Sequence, residues 1–295
     1  MKKLCVFLVI ILCLLPAGLG ESAPAGGVAS ADGRVLELIS RSAILMDAYT
    51  GEVLYEKYAD YRRYPASTTK IMTLLVSIEK CDGRKMVTVP KCSQDISLDS
   101  TRVPVYPGEQ MPLQDLWYGL IFNSGNDAAN AIAYLTSGSV SNFVKDMNQK
   151  AEALGMRNTH FANAHGLHNP EHNTTARDMA LLTRHALDID LFREITFSTA
   201  YTMQPTSLRG ELVLDHRYGI TDFSSKFYYP YAQGIKTGYT QMAGQCYVGC
   251  ADKDGHELIV VLMYCGLTKN EKWLEAKKLF EYGFEVLSQR ESKEK

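Results

Sequence analysis

Neither sign of charge prevails in this chain of 295 residues: 31 lysines and arginines stand against 33 aspartates and glutamates, a formal net charge of −2. Without Lys2 and Lys3 of the N-terminal stretch, 29 basic residues face 33 acidic ones, or −4. Phosphate-binding surfaces need a basic surplus, and nothing in this balance suggests a nucleic acid partner. Long apolar runs are missing too, since residues 4–15 form a run too short to span a bilayer comfortably. No internal repeat or low-complexity block is present. Cysteine is sparse. Seven occur, and setting aside Cys5 and Cys13 leaves Cys81, Cys92, Cys246, Cys250 and Cys265, an odd number that cannot all pair within one chain. A Cys81–Cys92 bridge across a short loop is conceivable, whereas Cys246 and Cys250 lie too far apart along one expected strand. No Cys/His spacing resembles a zinc site, so neither metal nor cofactor is expected and most thiols read as small buried hydrophobes.

What is present is a chain able to bury a large core, with 46% hydrophobic residues, as one big domain or two intimately packed lobes. Residues 1–20 read as an export signal: Lys2 and Lys3, an apolar run, then Pro16-Ala17-Gly18-Leu19-Gly20 with small residues suited to cleavage after Gly20. An uncleaved anchor stays open, but Cys13 behind the bulky Leu12 makes no lipid-attachment site. Residues 21–33, rich in Ala, Gly and Ser, read as a flexible tether. A folded domain is expected over residues 34–287 and a polar tail, with no amphipathic membrane anchor, over 288–295.

Within that domain, residues 42–47 and 52–56 read as a β-hairpin turned at Gly51. Helical patterns follow over 113–120, 127–135, 140–154 and 175–187, the last opened by a capping box of Thr175 and Asp178. Strand character returns at 244–251 and 258–265 around Asp252-Lys253-Asp254-Gly255, and a last helix over 270–287 offers Trp273, Ala276, Phe280 and Leu287 as its inward face. The expected fold class is α/β in the α+β sense: one antiparallel sheet covered by helices, with a helical lobe over about 67–195 inserted in it.

The chemistry centres on Pro65-Ala66-Ser67-Thr68-Thr69-Lys70. Proline suits the approach to a first helical turn, and residues at i and i+3 share a face, so the Lys70 amine comes within reach of the Ser67 hydroxyl. A serine hydroxyl needs a base beside it, and a lysine serves when desolvation or a second cation favours its neutral form. The helix N-terminus adds free N–H groups where an oxyanion could form. A lone Ser-x-x-Lys arises about once by chance in a chain of this length.

Two further motifs change the weight of the first. Ser124-Gly125-Asn126 between two helices reads either as a helix entry capped by Asn126 or Asp127, or as a second hydroxyl relaying a proton, with the Asn126 amide on a substrate carbonyl. Lys236-Thr237-Gly238 follows Gln233-Gly234-Ile235 in a strand where glycine suits a peptide lying alongside; Lys236 would lower the proton affinity of Lys70 and Thr237 could hydrogen-bond a carboxylate.

These three motifs in this order are the signature of penicillin-binding proteins and class A β-lactamases. With Leu154-Gly155-Met156, His165-Gly166-Leu167 and Thr174-Thr175-Ala176-Arg177-Asp178, the chain closely resembles the low-molecular-mass penicillin-binding proteins, the serine D-alanyl-D-alanine carboxypeptidases of peptidase family S11, over about residues 42–284. The resemblance implies the β-lactamase/transpeptidase-like fold, peptidoglycan stem peptides as substrate, β-lactams as covalent inhibitors and an extracytoplasmic location. It implies Ser67 as nucleophile, Lys70 as its base and Ser124 as proton donor to the leaving D-alanine. Asn126, Lys236, Thr237, Gly238, Tyr239 and Lys272 bind substrate in this reading, with the N–H groups of Ser67 and Tyr239 as oxyanion hole.

The chain departs from the family pattern at several points. Gln233 stands where an acidic residue is usual, Leu214-Asp215-His216-Arg217 replaces an Asn-rich segment, and Lys272 stands where an arginine helps hold the terminal carboxylate. A later β-rich domain and terminal membrane-binding helix are not seen. On the same fold a D,D-endopeptidase or a β-lactamase is the enzymatic alternative, the latter needing a water-holding glutamate for which only Glu171 is near. A non-catalytic peptidoglycan-binding module is the alternative of another class. The histidines at 165, 168 and 172 read as structural, and Tyr228, Tyr229 and Tyr231 either line the cleft or pack beside the strand.

Overall fold

The computed structural model describes residues 27–97, 99–215 and 217–294; the expected export signal lies outside them. Strands β1 (Val28–Ser30), β2 (Ser42–Asp47) and β3 (Val53–Lys57) come first. A 3₁₀ turn, Ala66–Thr69, runs into α1 (Lys70–Lys80). The short pair β4 (Met86–Thr88) and β5 (Gln110–Pro112) precedes α2 (Leu113–Phe122), α3 (Asn126–Ser137), α4 (Val140–Ala153), α5 (Ala176–Leu187) and α6 (Asp190–Phe197). A second pair, β6 (Ala200–Met203) and β7 (Leu212–Asp215), leads to β8 (Ala232–Thr240), β9 (Gly244–Lys253), β10 (His256–Met263) and α7 (Glu271–Glu294).

The main sheet is antiparallel in the order β1-β3-β2-β10-β9-β8. Its central strands are buried on both faces, and their side chains divide by strict alternation. Ile44, Met46, Val248, Ile259 and Val261 join the core shared with α1 to α6, whereas Ala43, Leu45, Tyr247, Val260 and Leu262 face α7. Trp273, Ala276, Phe280 and Leu287 of α7 are buried there as expected. Gly283 lets the helix approach closely, because a Cβ there would lie 2.7 Å from Leu258 and 2.8 Å from Leu45. Asp254 (φ 53°) and Gly255 (φ 84°) turn the β9–β10 hairpin through the left-handed pair that matches strand twist.

Four expectations are corrected. Val28–Ser30 of the expected tether pairs with β3 at the sheet edge. The expected polar tail is helical as far as Glu294, continuing α7. Cys81 and Cys92 are both free thiols, directed to Thr136 and to the Asn130 carbonyl. Only half of the capping box forms: Thr175 Oγ1 accepts from Asp178 N at 3.0 Å, but the Asp178 carboxylate takes Asn158 N and Thr159 Oγ1 instead. Among the described residues no helix is long and apolar enough to cross a membrane.

Candidate active site

The turn holding Ser67 is clamped by its own hydroxyls. Thr68 Oγ1 donates to Pro65 O and Thr69 Oγ1 to Ala66 O, both at 2.8 Å. Ala66 sits at φ 50°, a conformation L residues rarely adopt, so the clamp holds local strain in place. Behind it stands His172. Its Nδ1 accepts from Ala162 N at 2.9 Å, which leaves Nε2–H to donate to Thr69 Oγ1 at 2.7 Å. Burial, with the nearby charges, holds this imidazole neutral by pushing its pKa down to about 3. Thus the histidine group includes a neutral strut of the turn that carries Ser67.

Two glycines let other backbone close on the turn. At Gly166 (φ 88°) a Cβ would lie 1.9 Å from Ala66 O, and at Gly238 of β8 it would lie 2.9 Å from both Pro65 O and Ser67 N. Gly234 makes room for the ring of Tyr218, 2.0 Å from the position its Cβ would take. These strand glycines therefore serve the protein's own close contacts, a reason different from the peptide contact expected of them.

Lys70 is the first residue of α1 and fully buried. Its Nζ lies 3.1 Å from Ser67 Oγ, 2.7 Å from Asn126 Oδ1 and 2.6 Å from His165 O. Every one of these acceptors is neutral, so nothing bonded to the amine compensates a positive charge. Burial, reinforced by the charge of Lys236 and opposed by Asp127, holds its pKa well below the ordinary lysine value. Asp127 is itself pushed up to about 6 by burial, and its Oδ1 is occupied by Val103 N and Ala128 N at 2.9 and 2.8 Å. Asn126 is thus a hydrogen-bond partner of the amine as well as the first residue of α3, whose N-cap is Gly125.

A cleft of about 600 Å³ opens over this turn. Ser67, Ser124, Thr237, Gly238, Tyr239 and Lys272 of the expected set line it. Ser124 sits at φ 54° in the link between α2 and α3. Lys236 is buried just inside, donating to Thr237 O at 3.1 Å, and burial lowers its pKa to about 7. Lys272 at the start of α7 donates to Gln245 Oε1 at 2.6 Å and Lys269 O at 2.9 Å, and burial lowers it to about 8. All nine expected residues therefore meet around one cleft at the free edge of β8. Arg217, Lys269 and Trp273 line it as well, Arg217 from the segment that departs from the family pattern. No aspartate or glutamate does so among the described residues, and Glu171 lines a different cavity. Tyr229 stacks on Phe280 and packs under α7 instead of in the cleft.

A serine and a buried lysine one turn apart, under the edge strand of an antiparallel sheet, are the arrangement expected of penicillin-binding proteins and class A β-lactamases alike. Comparison with known proteins agrees. Residues 28–265 match the family Peptidase S11, D-alanyl-D-alanine carboxypeptidase, and the chain belongs to that family. It is 34% identical to D-alanyl-D-alanine carboxypeptidase DacF of Bacillus subtilis over 83% of this chain, and spans 62% of that relative's length. The crystal structure of a D-alanyl-D-alanine carboxypeptidase from Mycobacterium tuberculosis superposes with a TM-score of 0.79 at 29% identity, covering 87% of this chain and 96% of that one. A Streptomyces DD-transpeptidase structure likewise gives 0.79 at 29% identity, covering 85% of this chain and 99% of that one.

Proposed function

We propose that the protein is a serine D,D-carboxypeptidase that removes the terminal D-alanine from peptidoglycan stem peptides. The observation that carries this reading is the Lys70 amine, fully buried among neutral acceptors and 3.1 Å from Ser67 Oγ. A neutral amine there takes the Ser67 proton as Oγ attacks the carbonyl between the two D-alanines. The N–H groups of Ser67 and Tyr239 receive the oxyanion, each donor contributing typically ~3 kcal/mol. Ser124 passes the proton to the departing nitrogen. Lys236, Thr237, Lys272 and Arg217 hold the leaving D-alanine's carboxylate, Arg217 supplying the planar fork that Lys272 lacks. Asn126 holds Lys70 in place while its amide meets a substrate carbonyl. Water, activated by Lys70 and Ser124, then releases the shortened peptide.

β-Lactams acylate Ser67 in the same geometry. Among the described residues no carboxylate lines the cleft to position a deacylating water, which favours a long-lived adduct over β-lactamase turnover. In this reading residues 1–20 direct export, the fold from β1 to α7 forms the catalytic domain with its helical lobe, and the protein works outside the cytoplasm on the cell wall. The test is intact-protein mass after brief exposure to penicillin, with Ser67→Ala as control, followed by assay of D-alanine release from a D-Ala-D-Ala peptide. A lasting adduct confined to wild type, with D-alanine released, supports the proposal. Consumption of penicillin without an adduct would point to a β-lactamase, and no reaction with either compound would leave only a binding module.

A further inference from the structure

A second cavity of about 570 Å³ lies beside the segment that leads into the Ser67 turn. Tyr64, three residues before Ser67, lines it, as does Met242 in the turn that ends β8. Arg41, Arg62 and Arg63 share its wall with one acid, Glu171, a balance of three cationic groups against one anionic. None of the three guanidiniums is within salt-bridge distance of a carboxylate among the described residues, as is also true of Arg102, Arg157 and Arg184. Arg63 Nε donates to Ser42 Oγ at 3.1 Å, and Arg41 stacks 3.7 Å over the ring of Tyr264. Arg63 is half-buried; burial and then the charge of Arg41 depress its proton affinity, and Tyr61 opposes them. Planar guanidiniums held in this way suit a carboxylate.

The strand direction says which carboxylate. A peptide bound along the free edge of β8 pairs with it as an added strand. With its terminal carboxylate at Lys236 and Thr237 and its scissile carbonyl beside Gly238 and Tyr239, the acyl half leads past Thr240 toward Gln241 and Met242. Strands advance about 3.3 Å per residue in both chains, so three or four residues along β8 correspond to three or four residues of substrate. We infer that Arg41, Arg62 and Arg63 form an acid-recognising subsite for the acyl half of the stem peptide, taking a carboxylate at the third or fourth residue counted back from the scissile bond. The subsite gives the enzyme a preference for stem peptides that carry a free acid there over those in which it is amidated. This inference rests on the carboxypeptidase reading.

The test compares D-Ala-D-Ala peptides made in matched pairs, Glu against Gln at the third and, separately, the fourth acyl-side residue. In wild type kcat/KM is expected to favour the acid by about tenfold in at least one pair, the scale of a charge-assisted contact. The preference should be carried by KM and should weaken as salt is raised. In the double variant Arg41→Gln/Arg62→Gln the acid-to-amide ratio should fall toward one, and Arg62→Lys should restore part of it. Both side chains are exposed, and a melting curve matching wild type establishes that the variant is folded. D-Alanine release at equal rates within both pairs in wild type would overturn the subsite and leave the carboxypeptidase standing, as would a preference that survives in the double variant. No release from any peptide would overturn the carboxypeptidase reading and the subsite with it.

Discussion

The two faces of the main sheet are built from opposite materials. The face under α7 is largely aromatic, with Tyr55, Tyr218, Tyr229, Tyr247, Trp273 and Phe280 packed edge-on, tilted or stacked. The face toward α1 and α3 buries Lys70, Asn126, Asp127 and Lys236 within a few residues of the cleft. Burying an amine without a counter-ion costs free energy, which the protein tolerates only where the neutral form has a use. The contrast sets the buried cluster around Lys70 on one face alone, while both faces carry apolar core. It also states what should happen when each is damaged separately.

The largest effect belongs to the chemical face. Ser67→Ala should abolish penicillin acylation, a loss on the order of 10³-fold or more, while leaving the melting temperature near that of wild type. Acylation rate and melting curve on the same sample check both halves. Next, Phe280→Ala should cost about 3–5 kcal/mol of stability as the aromatic layer under α7 loses its centre. Denaturant unfolding measures the loss, and the acylation rate of the surviving folded fraction should stay close to wild type. A Phe280 variant that is stable but inactive would break the division between the faces.

Smaller effects sharpen it. Gly238→Ala forces a Cβ to within 2.9 Å of Pro65 O and Ser67 N, so it should cost about 1–3 kcal/mol and slow acylation by displacing the nucleophile's turn. Lys236→Met should change stability in a pH-dependent way. The folded pKa of Lys236, about 7, lies below the ordinary lysine value of 10.5. Between those limits the unfolded chain binds more protons, so the wild type gains on Lys236→Met as pH rises across the window and is most penalised below it. Unfolding at pH 6 and pH 10 should show that sign. Smallest is Lys272→Arg: if the loss of Lys272 charge near pH 8 forms part of the alkaline limb of kcat/KM for a D-Ala-D-Ala peptide, an arginine should move that limb upward.

Much of this site could be read before the fold was known, because side chains announce themselves. Ser67, Lys70, Ser124, Lys236 and Thr237 carry their chemistry in their identities, and spacing supplied the rest. The missing parts are of another kind. The carbonyl of His165 that holds Lys70 is a backbone atom, which every residue has. Gly166 is needed because Ala66 O lies where its Cβ would be, a contact between segments about 100 residues apart. His172 acts through the tautomer set by Ala162 N, and nothing local to its sequence fixes that. Likewise, the pair β6–β7 and the edge strand β1 are short and largely exposed, so no alternation marks them, whereas β2, β9 and β10 carry long buried runs.

The central claim is that Lys70 is neutral at working pH, and a direct titration tests it. Lysine side chains labelled at Cε and Nζ can be followed by NMR from pH 5 to 11, with the Lys70 signal assigned by its loss in Lys70→Met. The account predicts a Lys70 pKa well below 10.5, rising in Lys236→Met as the neighbouring charge is removed. A Lys70 that titrates near 10.5 and ignores Lys236 would contradict it.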